Sequence, residues 1–133
     1  MKNTIFLDTG VISLYYSNNK ELSQDLDLKK KKNYAFITSE VNYIELYNHI
    51  CRERGRINAQ VIMENIRRGN LIEFIPVKKS LSILAGELKC QYTFLSFVDS
   101  IVIAESLSRK IRLYTTETRF KEIEDLKVTK IEF

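Results

Sequence analysis

The sequence has few of the residues that interrupt or cross-link a chain, with 1 proline, 4 glycines and 2 cysteines among 133 residues. So little proline and glycine favours long helices over loops. Cys51 and Cys90 form no CxxC pair, so we expect free thiols in a reducing compartment rather than a zinc site or a disulfide framework. His49 is the only histidine. It falls on the polar side of its predicted helix, so we expect a solvated surface residue rather than a catalytic base.

Long apolar runs are also missing, and none approaches the roughly 20 residues of a membrane span. The N-terminal residues Met1–Thr4 show no signal-peptide pattern, so we expect a cytoplasmic protein without a membrane partner. The hydrophobic content of 44% and charged content of 29% are typical of a soluble protein, here predicted as one domain spanning residues 1–133. The net charge of +4 permits nucleic-acid binding without requiring it.

Short apolar segments alternate with helical segments along the chain. The predicted strands are Thr4–Leu7, Tyr34–Thr38, Leu71–Val77, Ile111–Thr115 and Val128–Phe133. The predicted helices are Val11–Tyr16, Lys20–Lys32 in part, Ser39–Arg54, Arg56–Arg68, Lys79–Gln91, Phe97–Arg109 and Phe120–Leu126. In the helix from Ser39 we place Val41, Ile44, Tyr47 and Cys51 on the apolar side and Asn42, His49 and Glu53 on the polar side. The alternation predicts a three-layer α/β/α fold, with a mostly parallel sheet of four to five strands covered by helices on both faces.

Four carboxylates lie where strands give way to helices. Asp8 follows the apolar run Ile5–Leu7, and Glu117 follows Leu113–Thr115. Glu45 and Asp99 lie in the helices that follow the second strand and precede the fourth. The carboxyl ends of parallel strands meet at one edge of a sheet, where ligands bind. Acids gathered there repel one another, so the pattern predicts a divalent-metal site.

Each of these acids also has an ordinary structural explanation. Asp8 is a good helix N-cap, and Asp99 follows Ser96 at the spacing of a capping box. Glu117 suits the positive end of a helix dipole, and Glu45 falls at a border where a glutamate can face solvent. A shared position for all four at one edge favours the metal site over four separate explanations.

At these residues the sequence resembles the PIN-domain family and, within it, the small VapC-type toxin ribonucleases. Four blocks in order carry the resemblance: Ile5–Ile12, Thr38–Leu46, Leu95–Ala104 and Leu113–Phe120. They are similar to the family's opening strand with its D-[ST]-x turn, its glutamate-leucine helix, its central Asp and its T-x-D-x-x-F ending. This chain departs from the pattern at Glu117, where Asp is usual, and at Gly10, where a small polar residue is common.

The resemblance implies a PIN-like fold and a Mg²⁺- or Mn²⁺-dependent endoribonuclease that hydrolyses RNA phosphodiester bonds. It implies Asp8 and Asp99 as the principal metal ligands, with Glu45 and Glu117 binding directly or through water. Thr9 and Thr115 are expected to orient Asp8 or a water molecule, as groups behind the direct ligands do. Arg119, adjacent to Glu117, is the first candidate to bind substrate phosphate.

The resemblance also implies partners. VapC-type proteins are usually homodimers, and they are the toxins of type II toxin–antitoxin systems, inhibited by a small VapB-like antitoxin. Two alternatives remain open, a PIN nuclease of RNA maturation or decay and a non-catalytic PIN module for RNA binding or assembly. A receiver domain or a haloacid-type phosphatase also places an Asp after the first strand, but each requires a further acid that is absent around Asp8.

Overall fold

A computed structural model describes residues 3–132, and its centre is a five-stranded parallel sheet. The strands are β1 Thr4–Leu7, β2 Ala35–Ser39, β3 Ile72–Ile75, β4 Arg112–Thr115 and β5 Val128–Lys130. Their order across the sheet is β3-β2-β1-β4-β5, and every neighbouring pair is parallel. The predicted α/β fold with a parallel sheet is confirmed.

Helices connect the strands, and four of the six α-helices in the described residues begin at polar caps. They are α1 Thr9–Tyr16, α2 Lys20–Lys31, α3 Glu40–Arg54, α4 Arg56–Arg68, α5 Ser82–Gln91 and α6 Phe97–Arg109. Side chains of Asp8, Asn19, Ser39 and Ser96 accept hydrogen bonds from the first amides of α1, α2, α3 and α6. Such caps satisfy donors that the helix itself leaves unpaired, so they fix where each helix starts.

The central strand β1 is apolar on both faces from Ile5 to Leu7 because both faces of the sheet are covered. In β1, Ile5 and Leu7 belong to one core, whereas Phe6 between them belongs to the other. The first core lies under α1 to α4, and the second lies under α5 and α6. This arrangement produces the three layers expected from the sequence. Within residues 3–132, no helix has the length and apolar character required to cross a membrane.

One predicted helix is wrong in extent. The segment Phe120–Leu126 forms only a short 3-10 turn, Arg119–Glu122. A longer helix is prevented because Asp125 has a left-handed backbone with φ of 65°. The segment Lys79–Gln91 is helical over its whole predicted length, beginning as a 3-10 turn, Lys79–Leu81, that continues into α5.

Smaller differences affect the other elements. β3 is shorter than the predicted Leu71–Val77 and ends before Pro76, whereas α2 is helical along nearly its whole predicted length. The last strand ends at Lys130, and the predicted end at Phe133 lies outside the described residues.

The predicted faces of α3 are also partly wrong. Asn42, predicted on the polar side, is 0% exposed, and Ile44, predicted on the apolar side, is 66% exposed. His49 is exposed as predicted, with its Nε2 3.4 Å from a carboxylate oxygen of Glu53. Asn42 is buried because three polar groups at the sheet edge need its side chain, as described below.

Strand order places Asp8 at the point where the sheet changes direction. From β1 the chain moves outward through β2 to β3, and it then returns to β4 on the other side of β1. In open α/β sheets the crevice for ligands forms at this switch point, beyond the carboxyl ends of the strands. The Asp8 N–H donates a hydrogen bond to the Tyr114 carbonyl at 3.0 Å, which joins the ends of β1 and β4 there.

Candidate active site

Asp8 is the buried centre of the acidic edge. It is only 5% exposed, and it caps α1. Its Oδ1 accepts a hydrogen bond from the Thr9 N–H at 2.8 Å, and its Oδ2 accepts one from the Thr115 hydroxyl at 2.8 Å. Thr115 is itself fully buried at the end of β4. The carboxylate is therefore held from both of the strands that meet at the switch point.

The pKa of Asp8 reports what surrounds it. Burial is the main reason that this pKa rises from its ordinary value of 3.8 to about 7, and the charges of Asp99 and Glu45 contribute in the same direction. The hydrogen bonds from Thr115 and Thr9 lower the pKa and are outweighed. A cation beside Asp8 would favour the ionised form and reverse this effect.

Asp99 is held by the cap of α6. Its Oδ2 accepts a hydrogen bond from the Ser96 N–H at 3.1 Å, and its own N–H donates to the Ser96 hydroxyl at 3.0 Å. The capping box expected from the sequence is therefore present. The capping box uses only one carboxylate oxygen of Asp99. The Asp99 side chain is half-buried, and it lies near enough to Asp8 for its charge to raise the pKa of Asp8.

Glu45 and Glu117 occupy different positions relative to Asp8. Glu45 is half-buried in the second turn of α3, and its charge raises the pKa of Asp8. Glu117 is exposed in the turn after β4, and its N–H donates to the Thr115 hydroxyl at 3.0 Å. Its charge is absent from the causes that shift the pKa of Asp8. The structure thus brings Asp8, Asp99 and Glu45 together electrostatically and leaves Glu117 at the rim.

These acids have no basic partner. The seven ion pairs within residues 3–132 all join other side chains. In the same part of the chain, no three Asp, Glu, His or Cys side chains lie close enough to hold a metal as they stand. Mg²⁺ is usually bound through one or two carboxylates, several waters and a substrate phosphate rather than by a closed protein cage. The chemistry of these oxygen donors therefore fits such an ion, although the acids do not form a ready-made cage.

Asn42 is a site residue that the sequence did not reveal. Its Nδ2 lies 2.9 Å from the Thr9 hydroxyl and 3.4 Å from Asp8 Oδ1, and its Oδ1 accepts from the Ser39 N–H at 3.2 Å. The spacing Ser39-x-x-Asn42, a capping box with Asn in place of Glu or Gln, was the available signal. Asn42 connects the start of α3 to the Asp8 carboxylate.

Replacing Asn42 with leucine is expected to lower the free energy of unfolding by about 1–3 kcal/mol, because the buried partners of the amide lose their hydrogen bonds. Urea denaturation followed by circular dichroism measures this change. Asn48→Leu is the matched control, since Asn48 is exposed on the same helix. Equal changes in both variants would contradict the assigned role.

Arg119 has partners of its own. Its guanidinium forms two hydrogen bonds with the Glu122 carboxylate, at 2.9 and 3.3 Å, and lies 3.7 Å from the centroid of the Phe94 ring. To bind a substrate phosphate, the guanidinium would have to exchange Glu122 for that phosphate. Its predicted role in substrate binding stays a proposal.

The sequence matches the family model of the PIN domain over residues 5–126, which is most of the chain. The chain belongs to the PIN-domain family. The matched segment begins in β1 and includes Asp8, Glu45, Asp99 and Glu117. No match was found among curated protein sequences.

Solved structures with the PIN fold are similar to this PIN domain over almost their full length. VapBC2 from Rickettsia felis, bound to a promoter DNA fragment, has a TM-score of 0.82 and 16% identity, covering 97% of this chain and 99% of the other. DNA-bound VapBC from Salmonella typhimurium has a TM-score of 0.80 and 14% identity, covering 98% of both chains. Mycobacterium tuberculosis VapC20, described as a Sarcin–Ricin loop cleaving toxin, has a TM-score of 0.69 and 22% identity, covering 89% and 93%.

Proposed function

We propose that this PIN domain is a metal-dependent endoribonuclease and the VapC-like toxin of a toxin–antitoxin pair. One observation carries the proposal: the buried Asp8 carboxylate, together with Asp99 and Glu45, lies at the sheet's switch point without any basic partner in the described part of the chain. When Asp8 is ionised, an arrangement of this kind is costly unless a cation binds to it. The resemblance to VapC-type ribonucleases supports RNA as the substrate.

Asp8 and Asp99 are the principal ligands in this proposal, with Glu45 and Glu117 binding directly or through water. Hard carboxylate oxygens suit Mg²⁺ or Mn²⁺. When bound, such an ion supplies an activated water nucleophile at neutral pH and compensates negative charge on the phosphate. The nucleophile then need not be a side chain, which agrees with the exposed position of His49 outside the acidic group.

The neighbouring polar groups keep the carboxylates in place. Thr115 donates to one oxygen of Asp8, while the Thr9 N–H and the Asn42 amide lie at the other. The Ser96 cap fixes one oxygen of Asp99 and leaves the other for a ligand. Such positioning groups commonly change metal affinity or activity by about 10- to 100-fold when they are removed.

Incubation of purified protein with a structured RNA, in Mg²⁺ and in EDTA, followed by mapping of RNA ends, tests the activity. Cleavage at defined sites that requires the divalent ion supports the proposal. Intact RNA in Mg²⁺ and Mn²⁺ contradicts it and favours a non-catalytic PIN module.

A VapB-like antitoxin is the proposed protein partner. A groove of about 420 Å³ runs between α1, α3 and α4, with Ile12, Leu46 and Ile66 in its floor and Arg54 at its rim. His49 lines it one turn after Glu45 on α3, so a peptide segment in the groove can reach the acidic edge. We propose that an antitoxin segment with an apolar face binds here and presents a basic residue to the acids. Co-expression and co-purification with the product of a neighbouring short gene tests this.

A second copy of the chain is the other proposed partner, and it would bind at the face of α5 and α6. Phe97 is 77% exposed and Ile83 is 75% exposed, beside a groove of about 350 Å³ that also contains Ala85 and Gly86. Exposed apolar patches of this kind commonly mark interaction sites. In a two-fold dimer, Phe97 of each copy would meet this groove on the other.

The Phe97→Ser variant is expected to be monomeric where the wild type is dimeric, because the largest exposed apolar side chain of this face is lost. Light scattering after size-exclusion chromatography measures the mass. Ile57→Ser is the control, since Ile57 is 73% exposed on α4, away from this face. If the wild type is a monomer, or if Phe97→Ser is still a dimer, the proposed dimer interface on α5 and α6 is wrong.

A further inference from the structure

The start of α1 and the turn after β4 touch at one glycine. Gly10 is the second residue of α1, and Thr116 follows β4 directly, between Thr115 and Glu117. A Cβ on Gly10 would collide with the Thr116 hydroxyl oxygen, and it would lie 3.2 Å from Thr116 Cγ2 and 3.3 Å from Thr116 Cβ. The Thr116 side chain therefore occupies the space that a side chain at position 10 would need.

Space, and not backbone conformation, explains the glycine. Among residues 3–132 the one glycine with a positive φ is Gly55, so Gly10 has a φ that any residue can adopt. Glycine within a helix costs roughly 0.5–1 kcal/mol relative to alanine. At Gly10 the absence of a side chain leaves room for Thr116.

Three threonine hydroxyls lie around the Asp8 end of the crevice, and two of them already have a side-chain partner. The Thr115 hydroxyl donates to Asp8, and the Thr9 hydroxyl lies 2.9 Å from the Asn42 amide. The Thr116 hydroxyl makes no hydrogen bond to the described part of the chain, and its side chain is half-exposed at the acidic edge. Thr9 only accepts in its hydrogen bond and keeps its own proton, whereas both the proton and the lone pairs of the Thr116 hydroxyl remain available to a ligand.

The charges around the site make a neutral donor useful there. Asp8, Asp99 and Glu45 repel a phosphate, and the guanidinium of Arg119, the proposed phosphate-binding cation, is paired with Glu122. A hydroxyl can donate to a phosphate oxygen without neutralising the acids that would hold a cation. The Thr116 hydroxyl lies beside Gly10 and next to Thr115, which places it within the crevice at the switch point.

We propose that Thr116 is a substrate-binding residue whose hydroxyl donates a hydrogen bond to an RNA phosphate oxygen. In this proposal, which rests on the nuclease function above, Gly10 is small so that Thr116 can enter the site.

The first test removes the hydroxyl and keeps the shape. Thr116→Val is expected to lower kcat/KM for RNA cleavage about tenfold, mostly through a higher KM, while its unfolding temperature stays close to wild type. Thr116→Ser is expected to retain near wild-type kinetics, and Thr93→Val serves as the control at a threonine elsewhere on the surface. Equal kinetics for wild type and Thr116→Val overturn the proposal.

The second test moves the hydroxyl from position 116 to position 10. Gly10→Ser alone is expected to lower both the unfolding temperature and the cleavage rate, because the new side chain collides with Thr116. Adding Thr116→Ala is expected to restore stability and most of the cleavage, since the serine introduced at position 10 then supplies the hydroxyl. Additive effects on unfolding temperature overturn the proposed contact, because residues in contact show non-additive effects.

The two tests separate this proposal from the nuclease assignment. If the wild type cleaves RNA and the Thr116 variants cleave equally well, only the role of Thr116 is rejected. If the wild type does not cleave RNA, the nuclease assignment fails and the substrate role of Thr116 fails with it. The unfolding temperatures still report whether Gly10 and Thr116 exclude each other.

Discussion

Asparagine in place of Asp8 is expected to reduce RNA cleavage by at least about 100-fold, because loss of the proposed direct metal ligand should exceed the 10- to 100-fold cost of losing a positioning group. Asparagine keeps the size of Asp8, and its side-chain oxygen can still accept the Thr9 N–H. What it removes is the negative charge at the buried centre of the site. The rate of cleavage of a labelled RNA in Mg²⁺ measures the effect.

Asp25→Asn is the matched control for this substitution. Asp25 also carries a carboxylate, but it lies within α2, pairs with Lys29 at 2.7 Å and is outside the acidic edge. Its variant is expected to cleave at the wild-type rate. An Asp8→Asn protein that is folded and as active as the control would remove Asp8 from the mechanism.

The same Asp8→Asn variant is expected to be more stable than the wild type in metal-free buffer. The folded-state pKa of Asp8 is about 7, above the 3.8 of an unburied carboxyl. Between these values the folded protein retains a proton that the unfolded chain has lost, so the contribution of Asp8 to stability falls as pH rises through this window. Above pH 7 the loss of unfolding free energy is constant. The difference of about three units between the folded and unfolded pKa of Asp8 corresponds to roughly 4 kcal/mol.

Thermal unfolding in EDTA at pH 5 and pH 8 measures this effect. At pH 8 the unfolding temperature of Asp8→Asn is expected to exceed that of the wild type by roughly 10 °C, with a smaller difference at pH 5. Adding Mn²⁺ is expected to stabilise the wild type more than the variant, since a ligand that binds only the folded state raises its stability. If the unfolding temperatures of both proteins depend identically on pH and on Mn²⁺, Asp8 is not an uncompensated buried carboxylate.

Local patterns predicted the parts of the fold that depend on few residues. The apolar run ending at Asp8 predicted both β1 and the acid at its end, because a strand buried on both faces is apolar throughout. The Ser96–Asp99 spacing predicted the start of α6 for the same kind of local reason. Strand order determines which of these ends are neighbours, and here it places Asp8 between β2 and β4.

Other features depended on contacts between distant residues and could not be predicted in this way. Asn42 is polar and was placed toward solvent, yet it is buried because Thr9, from a different strand–helix connection, provides a partner for its amide. Gly10 gave no sign in the sequence of its contact with Thr116, which follows a distant strand and occupies the space beside it. The rim position of Glu117 likewise depends on how the turn after β4 folds over Thr115.

The most direct measurement of the central claim is the rate of RNA cleavage by wild type and Asp99→Asn, compared side by side in Mg²⁺. Asparagine at this position can still accept the Ser96 N–H, so the cap of α6 and the fold should be retained. A metal site built on Asp8 and Asp99 predicts cleavage by the wild type and none by the folded variant. Cleavage by Asp99→Asn at the wild-type rate would contradict it.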